Sequence, residues 1–221
     1  MATAYTDQGS RGDIPQTARG QRTRSALLAA ARRVFEERGY VDTRVVDITQ
    51  QARVSYGSFY TYFPSKEAVF SEVVDSMTED FRSTVRSVPA PGSAPADLIA
   101  RTNRGYLQAY RQNAAMMAIL EQAATVNPDL MATRREARTT WLRSASRAIG
   151  HWQDQGLVPQ WIDPYYAASA LGSMVDRSAY VWLVLGEPYD EDVAVEQLTA
   201  LYCGALGLTY VPSHRPAGSE T

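Results

Sequence analysis

Hydroxyl and aromatic side chains crowd into the stretch S-Y-G-S-F-Y-T-Y-F, which runs from Ser55 to Phe63 and is followed by a proline. In a helix, with about 100° between successive residues, Phe59 and Phe63 share one face. Gly57 and Thr61 then lie on the opposite face. A short helix held down by two phenylalanines and presenting small, hydroxyl-bearing residues suits a DNA major groove, because hydroxyls donate to phosphate oxygens and base edges.

The alternative is that all five aromatic residues of this stretch form the core of a helical bundle. The preceding residues favour DNA binding. A second short helix is predicted over V-V-D-I-T-Q-Q-A, three residues before the aromatic stretch, and a longer helix precedes both. Two short helices joined by a tight turn are typical of helix-turn-helix. Thr43 is expected to cap the second helix and Ser55 the third.

The whole chain shows helical spacing and no alternation typical of strands, which predicts an all-α protein. The Pro- and Gly-rich segment P-A-P-G-S-A-P separates its two halves. Further helices are expected over residues 17–38, 65–88, 96–125, 128–155, 164–185 and 190–207. The predicted organisation is a flexible arm (1–16), a helix-turn-helix domain (17–64), a connecting helix (65–88), a larger helical domain (96–210) and a flexible tail (211–221).

Composition excludes several classes of function. The chain of 221 residues has one cysteine and two histidines, His151 and His214, and none of the common nucleotide-binding, hydrolase or metalloprotease motifs. We therefore expect no cofactor, no metal site and no catalysis. One cysteine, with no signal sequence or membrane span, predicts a cytoplasmic protein. Residues 11–70 hold ten basic against six acidic side chains although the net charge is −2, which favours an anionic partner there.

Three segments resemble the tetracycline-repressor (TetR) family of bacterial transcription regulators. They are L-L-A-A-A-R-R-V-F-E-E-R-G-Y, T-R-V-V-D-I-T and A-R-V-S-Y-G-S-F-Y-T-Y-F-P-S-K-E-A, and the match covers residues 24 to about 70. The resemblance implies a three-helix DNA-binding domain joined to a larger helical ligand-binding and dimerisation domain. It also implies a recognition helix over Ser55–Phe63.

The resemblance assigns roles to particular positions. Groove-facing roles fall on Tyr56, Gly57, Ser58 and Thr61. Phosphate-contacting roles fall on Tyr60, Tyr62, Lys66 and the helix cap Thr43, whereas Asp47 is expected to be structural. A basic approach to the first helix, of which one or two members are expected to reach DNA, comprises Arg11, Arg19, Arg22 and Arg24.

This sequence departs from the family pattern at two positions. Arg53 stands in the turn where many members have glycine, and Arg44 stands where a small hydroxyl residue is frequent. A left-handed backbone at Arg53 would cost about 1–2 kcal/mol, which a phosphate contact could offset. Arg44 could contact guanine O6 and N7. For both residues the alternative is a solvated surface arginine.

The resemblance places dimerisation on the last two helices and a ligand in the C-terminal domain. The expected dimer residues, some of which must instead be core, are Ala168, Leu171, Gly172, Val175, Ala179, Trp182, Leu198, Leu201, Tyr202 and Ala205. Large, soft side chains suggest an apolar pocket, with core packing as the alternative. These are Tyr106, Tyr110, Met116, Met117, Leu120, Trp141, Met174 and Tyr180, with Glu121 and Arg177 either orienting a ligand or forming an ion pair.

The resemblance, taken with these residues, predicts a transcriptional regulator, most simply a repressor. It would bind a palindromic operator as a homodimer and release it when a small apolar or amphipathic effector binds. Two alternatives are a constitutive DNA-binding dimer without an inducer and, less consistent with the residues present, a helical enzyme.

Overall fold

The computed structural model describes residues 17–85 and 94–212, and these are helical apart from short connections. The all-α prediction is therefore confirmed. The helices are α1 (Ala18–Asp42), α2 (Val45–Ala52), α3 (Tyr56–Tyr62), α4 (Lys66–Val85), α5 (Pro95–Gln112), α6 (Ala114–Val126), α7 (Pro128–Asp154), α8 (Pro164–Leu183) and α9 (Glu191–Leu206). In these two ranges no helix is long and apolar enough to cross a membrane. The predicted arm, with Arg11, and tail residues 213–221, with His214, lie outside them.

The chain divides into two compact units between Val73 and Val74, inside α4. The first turns of α4 thus belong to the N-terminal unit, whereas the sequence predicted a connecting helix from residue 65. Gly39, the residue directly after the helix expected over residues 17–38, interrupts α1 with φ 75° and ψ 174°, a conformation that residues with a Cβ rarely adopt. Beyond it, Tyr40 packs against Phe35 and Phe70 to form an aromatic core.

The C-terminal unit contains α5 to α9, with α7 against α8, α5 against α9 and α6 against α7. Its core includes Leu107, Tyr110, Ile149, Cys203 and Leu206. The predicted starts of α7 and α8 are confirmed. Asn127 and Asp163 each accept two backbone N–H bonds at the helix start, before a proline at the first helical position.

The single helix expected over residues 96–125 is wrong, because two helices, α5 and α6, meet at Asn113. The backbone of Asn113 is not helical, with φ −121° and ψ 14°. Its side-chain amide donates to the carbonyl of Ala109 at 2.8 Å. An asparagine that bonds its own backbone in this way competes with the helical hydrogen bonds and ends α5.

Candidate nucleic-acid interface

Helix α3 is fixed by its two phenylalanines, as the sequence predicted. Phe59 is fully buried and Phe63 nearly so, and their ring centroids lie 5.7 Å apart on one side of the helix. The guanidinium of Arg24, on α1, lies 5.1 Å from the centre of the Phe63 ring and pairs with Glu72 on α4. Because Arg24 is engaged on both sides, it serves the packing of α3 and not the basic approach predicted for it.

The opposite side of α3 is open to solvent. Tyr56 is 54% exposed and Tyr60 48% exposed, and their hydroxyls are hydrogen-bonded at 3.0 Å. This bond raises the pKa of Tyr60 above its ordinary value. Gly57 and Thr61 share the exposed side, and no protein atom would lie within 4 Å of a Cβ on Gly57. The face offers donors and room for another molecule to approach.

The serines at the start of α3 bond to each other. The hydroxyl of Ser55 accepts the backbone N–H of Ser58 at 3.2 Å, which confirms Ser55 as the N-cap. The two hydroxyls are also 2.7 Å apart. Of the hydroxyls on α3, those of Thr61 and Tyr62 have no such partner among the described residues.

Thr43 does not cap α2, and the prediction that it does is wrong. Its side chain is 1% exposed and its hydroxyl donates to the carbonyl of Gly39 at 2.6 Å. It therefore supplies a donor to a carbonyl beside the break in α1, and its hydroxyl is not presented to a phosphate. The sequence signal for a cap was genuine, but the helix begins one residue later, after Arg44.

Asp47 closes the start of α2, in the structural role expected for it. Its carboxylate accepts the backbone N–H of Arg44 at 3.1 Å and lies 3.1 Å from the guanidinium of Arg38. Hydrogen bonding with Arg44, together with the charge of Arg38, holds the pKa of Asp47 below its ordinary value. The guanidinium of Arg44 makes only long contacts with Asp47, at 3.4 and 3.5 Å. The Arg44 side chain is otherwise exposed to solvent.

Lys66 has a structural partner that the sequence did not reveal. Its ammonium donates to the carbonyls of Tyr40 at 2.9 Å and Val41 at 3.3 Å, and it lies 4.7 Å from the centre of the Tyr40 ring. These bonds tie the start of α4 to the end of α1. An ammonium has three donors, so the phosphate contact expected of Lys66 stays a prediction that rests on the remaining one.

Arg53 lies in the turn between α2 and α3 with a left-handed backbone, at φ 56° and ψ 43°. Among the residues that the structure describes, it is the only non-glycine residue with a positive φ, and its guanidinium has no partner among them. Strain of this kind often accumulates at functional positions.

We expect Arg53→Gly to raise the free energy of unfolding by about 1 kcal/mol. Relief of left-handed strain, about 1–2 kcal/mol, exceeds the added freedom of the unfolded chain, about 0.4–1 kcal/mol. If the guanidinium contacts a phosphate, the same variant weakens DNA binding and flattens its salt dependence by about one unit of slope. Urea unfolding and DNA titrations at several salt concentrations measure both effects.

Arg53→Asn is the matched control, because asparagine tolerates the left-handed conformation and lacks the charge. Equal loss of DNA affinity in the glycine and asparagine variants assigns the loss to the guanidinium. Unchanged affinity in both would make Arg53 a solvated surface residue.

Comparison with known proteins agrees with this geometry. Residues 27–73 match the family model described as bacterial regulatory proteins, tetR family. The regulator EthR of Mycolicibacterium smegmatis is 26% identical over 204 residues, which are 90% of this chain and 91% of EthR. The chain belongs to the TetR family of transcriptional regulators.

Two further proteins extend the comparison. The transcriptional repressor DhaR of Mycobacterium sp. strain GP1 is 40% identical over 72 residues, 33% of this chain and 36% of DhaR. The solved structure of the fatty acid degradation regulator FadR from Bacillus halodurans has a TM-score of 0.69 at 20% identity. That match covers 81% of this chain and 94% of the FadR chain and shows a common fold.

The C-terminal unit of this TetR-family protein gathers several of the predicted pocket residues. Tyr106 and Tyr110 pack with ring centroids 5.9 Å apart, and the Tyr106 hydroxyl donates to Asp176. Burial, with the nearby carboxylate of Asp176, raises the pKa values of both tyrosines. In the sequence, Asp176 could be recognised as a functional candidate because it is a charged residue within an otherwise apolar helix. Met116 and Leu120 are buried, and Met117 and Met174 are partly buried.

The charged residues of this region have other partners than the sequence suggested. Glu121 pairs with Arg134, so an ion pair between Glu121 and Arg177 is wrong. The guanidinium of Arg177 instead lies 4.4 Å from the centre of the Tyr180 ring. In the ranges that the structure covers, no cluster of three histidine, cysteine or acidic side chains could hold a metal ion.

Most of the predicted dimer residues are core. Those buried within the chain itself are Ala168, Leu171, Val175, Ala179, Leu198 and Tyr202, so for these the core alternative holds and the interface assignment is wrong. Gly172 faces α7, where its missing Cβ makes room for the ring of Trp141, so these two residues pack against each other within the C-terminal unit. Leu201 is 58% exposed and lines a groove of about 340 Å³ between α8 and α9, together with Trp182. Ala205 is exposed on α9.

Proposed function

We propose that this TetR-family regulator is a repressor that binds a palindromic operator as a homodimer and releases it when a small effector binds. The single observation that supports DNA recognition is the exposed face of α3, which Phe59 and Phe63 hold rigidly from the other side. The repressor role rests on the similarity to DhaR over 72 residues, since the name of DhaR describes a transcriptional repressor.

The exposed groove between α8 and α9 supports a dimer. Leu201, Trp182 and Met174 contribute apolar surface to it, and Tyr189 stacks on Trp182 with ring centroids 5.2 Å apart. Burying this groove against a second copy would remove its apolar surface from water. A two-fold dimer would also present two α3 helices, to match operator half-sites about 34–36 Å apart or a multiple of that spacing.

Leu201→Glu tests the dimer, since it places a charge in the middle of this apolar groove. We expect the variant to sediment as a monomer that stays folded, and to bind operator DNA far more weakly than the wild type. Leu157→Glu is the control, because Leu157 is also exposed, at 45%, but does not line the groove. A Leu201→Glu protein that remains dimeric would exclude the groove as the interface.

The effector is proposed to bind in the C-terminal unit, near Tyr106, Tyr110 and Met117. These side chains combine apolar surface with the Tyr106–Asp176 hydrogen bond, which suits a small amphipathic molecule. A coupling free energy of about 1–3 kcal/mol would lower operator affinity 5- to 150-fold, which is enough for a switch. The structurally similar FadR is described as a fatty acid degradation regulator, so fatty acids are the first compounds to test.

The experiment for the whole proposal is an electrophoretic mobility shift with the DNA upstream of the gene, at fixed salt and with excess competitor. A specific shift of a dimer that added compounds reverse would support the repressor. A shift that no compound reverses, with tryptophan fluorescence equally insensitive, would favour the constitutive DNA-binding dimer. No shift here, and no sequence enriched from random DNA, would contradict the proposal.

A further inference from the structure

The C-terminal unit contains a cluster of ionisable side chains whose charges do not balance. Tyr106 and Tyr110 come from α5, Glu121 from α6, Arg134 from α7 and Asp176 from α8. Burial raises the pKa values of both tyrosines, and the charge of Asp176 adds to this effect. The groups therefore lie within electrostatic range of one another. These five side chains hold two carboxylates but only one guanidinium, so the cluster as a whole is negative.

The carboxylate of Asp176 is the one without a cationic partner. The guanidinium of Arg134 pairs with Glu121, and that of Arg177 lies over a tyrosine ring. Oδ1 of Asp176 accepts the hydroxyl of Tyr106 at 2.5 Å, whereas Oδ2 accepts no hydrogen bond from the residues that the structure describes. Because the Asp176 side chain is partly exposed, this second oxygen remains within reach of a ligand.

Aromatic rings surround this carboxylate. Tyr106 bonds to it directly. Gly172 and Tyr180 lie one helical turn before and after Asp176, on the same face of α8. The indole of Trp141 packs against Gly172. Aromatic rings beside a carboxylate suit an ammonium ion, because the faces of the rings attract positive charge.

We infer that the effector of the proposed repressor is an organic ammonium ion with an apolar substituent, bound with its charged nitrogen at the Asp176 carboxylate and the rings around it. The inference rests on the proposed effector-controlled repressor and specifies the chemistry of its ligand. The cation supplies the ion-pair partner that Asp176 lacks. A fatty acid, the class that similarity to FadR suggests, would instead bring a second negative charge to a carboxylate that is already uncompensated.

The test compares three ligands that share one octyl chain and differ in the charge of the head group. They are octyltrimethylammonium, which is positive, octanol, which is neutral, and octanoate, which is negative. Calorimetric titration of the wild-type protein without DNA should give an affinity for the ammonium about tenfold higher than for octanol, with octanoate the weakest. In the mobility shift, the ammonium should release the operator at the lowest concentration.

Asp176→Asn assigns the preference to the carboxylate. Asparagine keeps an oxygen that can accept the hydroxyl of Tyr106 and removes only the charge. We expect the ammonium to bind this variant no more tightly than octanol, while the affinity for octanol is unchanged. Asp154→Asn is the control, because it removes the same charge from an exposed site on α7 and should retain the preference. Asp176→Glu keeps the charge and should keep the order of the three ligands.

Failure of this inference is distinguishable from failure of the proposed function. Tightest binding of octanoate, equal binding of all three ligands, binding of none, or a preference for the ammonium that Asp176→Asn retains would each overturn the inference. Operator binding, measured without ligand, would still stand in these cases. If the ammonium binds as expected but no DNA sequence is bound in preference to competitor, the proposed repressor is wrong and the ligand assignment survives. The ligand order in the wild type decides the inference even if Asp176→Asn does not fold.

Discussion

Phe59→Ala is expected to reduce the free energy of unfolding of the N-terminal unit by about 3–5 kcal/mol and to abolish specific DNA binding. The side chain of Phe59 is fully buried, and it packs edge to face on Tyr60 as well as against Phe63. Replacing it by alanine leaves a cavity beneath the recognition helix. Since whole domains are stable by only about 5–15 kcal/mol, a loss of this size leaves α3 largely disordered.

Tyr60→Ala, one residue further along the same helix, should behave in the opposite way. Tyr60 is 48% exposed, so its truncation is expected to change stability by less than about 1 kcal/mol. We nevertheless expect it to weaken DNA binding by tenfold or more. Hydrogen exchange in α3 and operator titrations separate the two effects. Wild-type hydrogen exchange in the Phe59→Ala protein would contradict the buried position that we assign to Phe59. Wild-type DNA affinity in the Tyr60→Ala protein would contradict our assignment of Tyr60 to the DNA-contacting face of α3.

Gly172→Ala is expected to destabilise the C-terminal unit by about 1–3 kcal/mol, although alanine is the better helix former. A Cβ at this position would lie 2.1 and 2.4 Å from two atoms of the Trp141 ring, which is closer than non-bonded carbon atoms can approach. The indole must move out of its site between α7 and α8. Urea unfolding measures the loss, and the emission of Trp141 should change with its surroundings.

Gly150→Ala provides a control with the opposite sign. Gly150 lies in α7, and a Cβ there would meet no atom within 4 Å. The substitution should therefore stabilise the protein by about 0.5–1 kcal/mol, the usual gain when alanine replaces a helical glycine. If both substitutions by alanine stabilised the protein, the packing of Trp141 would not require the space beside Gly172.

The sequence was sufficient where local chemistry determines structure. Two phenylalanines four residues apart, with Ser55 before them and Pro64 after, predicted both the position and the buried side of α3. The expected starts of α7 and α8, at residues 128 and 164, were also correct, because in Asn-Pro and Asp-Pro an N-cap side chain and a proline act within one turn of helix.

Errors arose where a residue's partner is distant in sequence. Lys66 bonds to carbonyls at Tyr40 and Val41, and Glu121 pairs with Arg134, and neither partner follows from spacing on a single helix. Threonine is a common helix cap, but the hydroxyl of Thr43 donates to the carbonyl of Gly39, beside the break in α1. Asn113 ended a helix whose apolar spacing continues on both sides, because one side-chain bond to Ala109 outweighs the pattern.

The property that was hardest to predict from the sequence was which residues of the C-terminal unit are buried within the chain itself. The small and apolar residues of α8, such as Ala168 and Ala179, have the composition of a helix interface, and they do form one. That interface is with helices of the same chain. Composition indicates that two helices approach closely, but it does not indicate whether the second helix belongs to the same molecule or to a partner.

The central claim, that the exposed face of α3 recognises a specific DNA sequence, is tested most directly by selection from random-sequence DNA. Wild-type protein should enrich an inverted repeat and bind it at least about 10³-fold more tightly than scrambled DNA at physiological salt. Tyr56→Ala, which truncates an exposed groove-facing residue, should lose most of that preference while remaining folded. Enrichment of no sequence, or equal preference in wild type and Tyr56→Ala, would contradict the account.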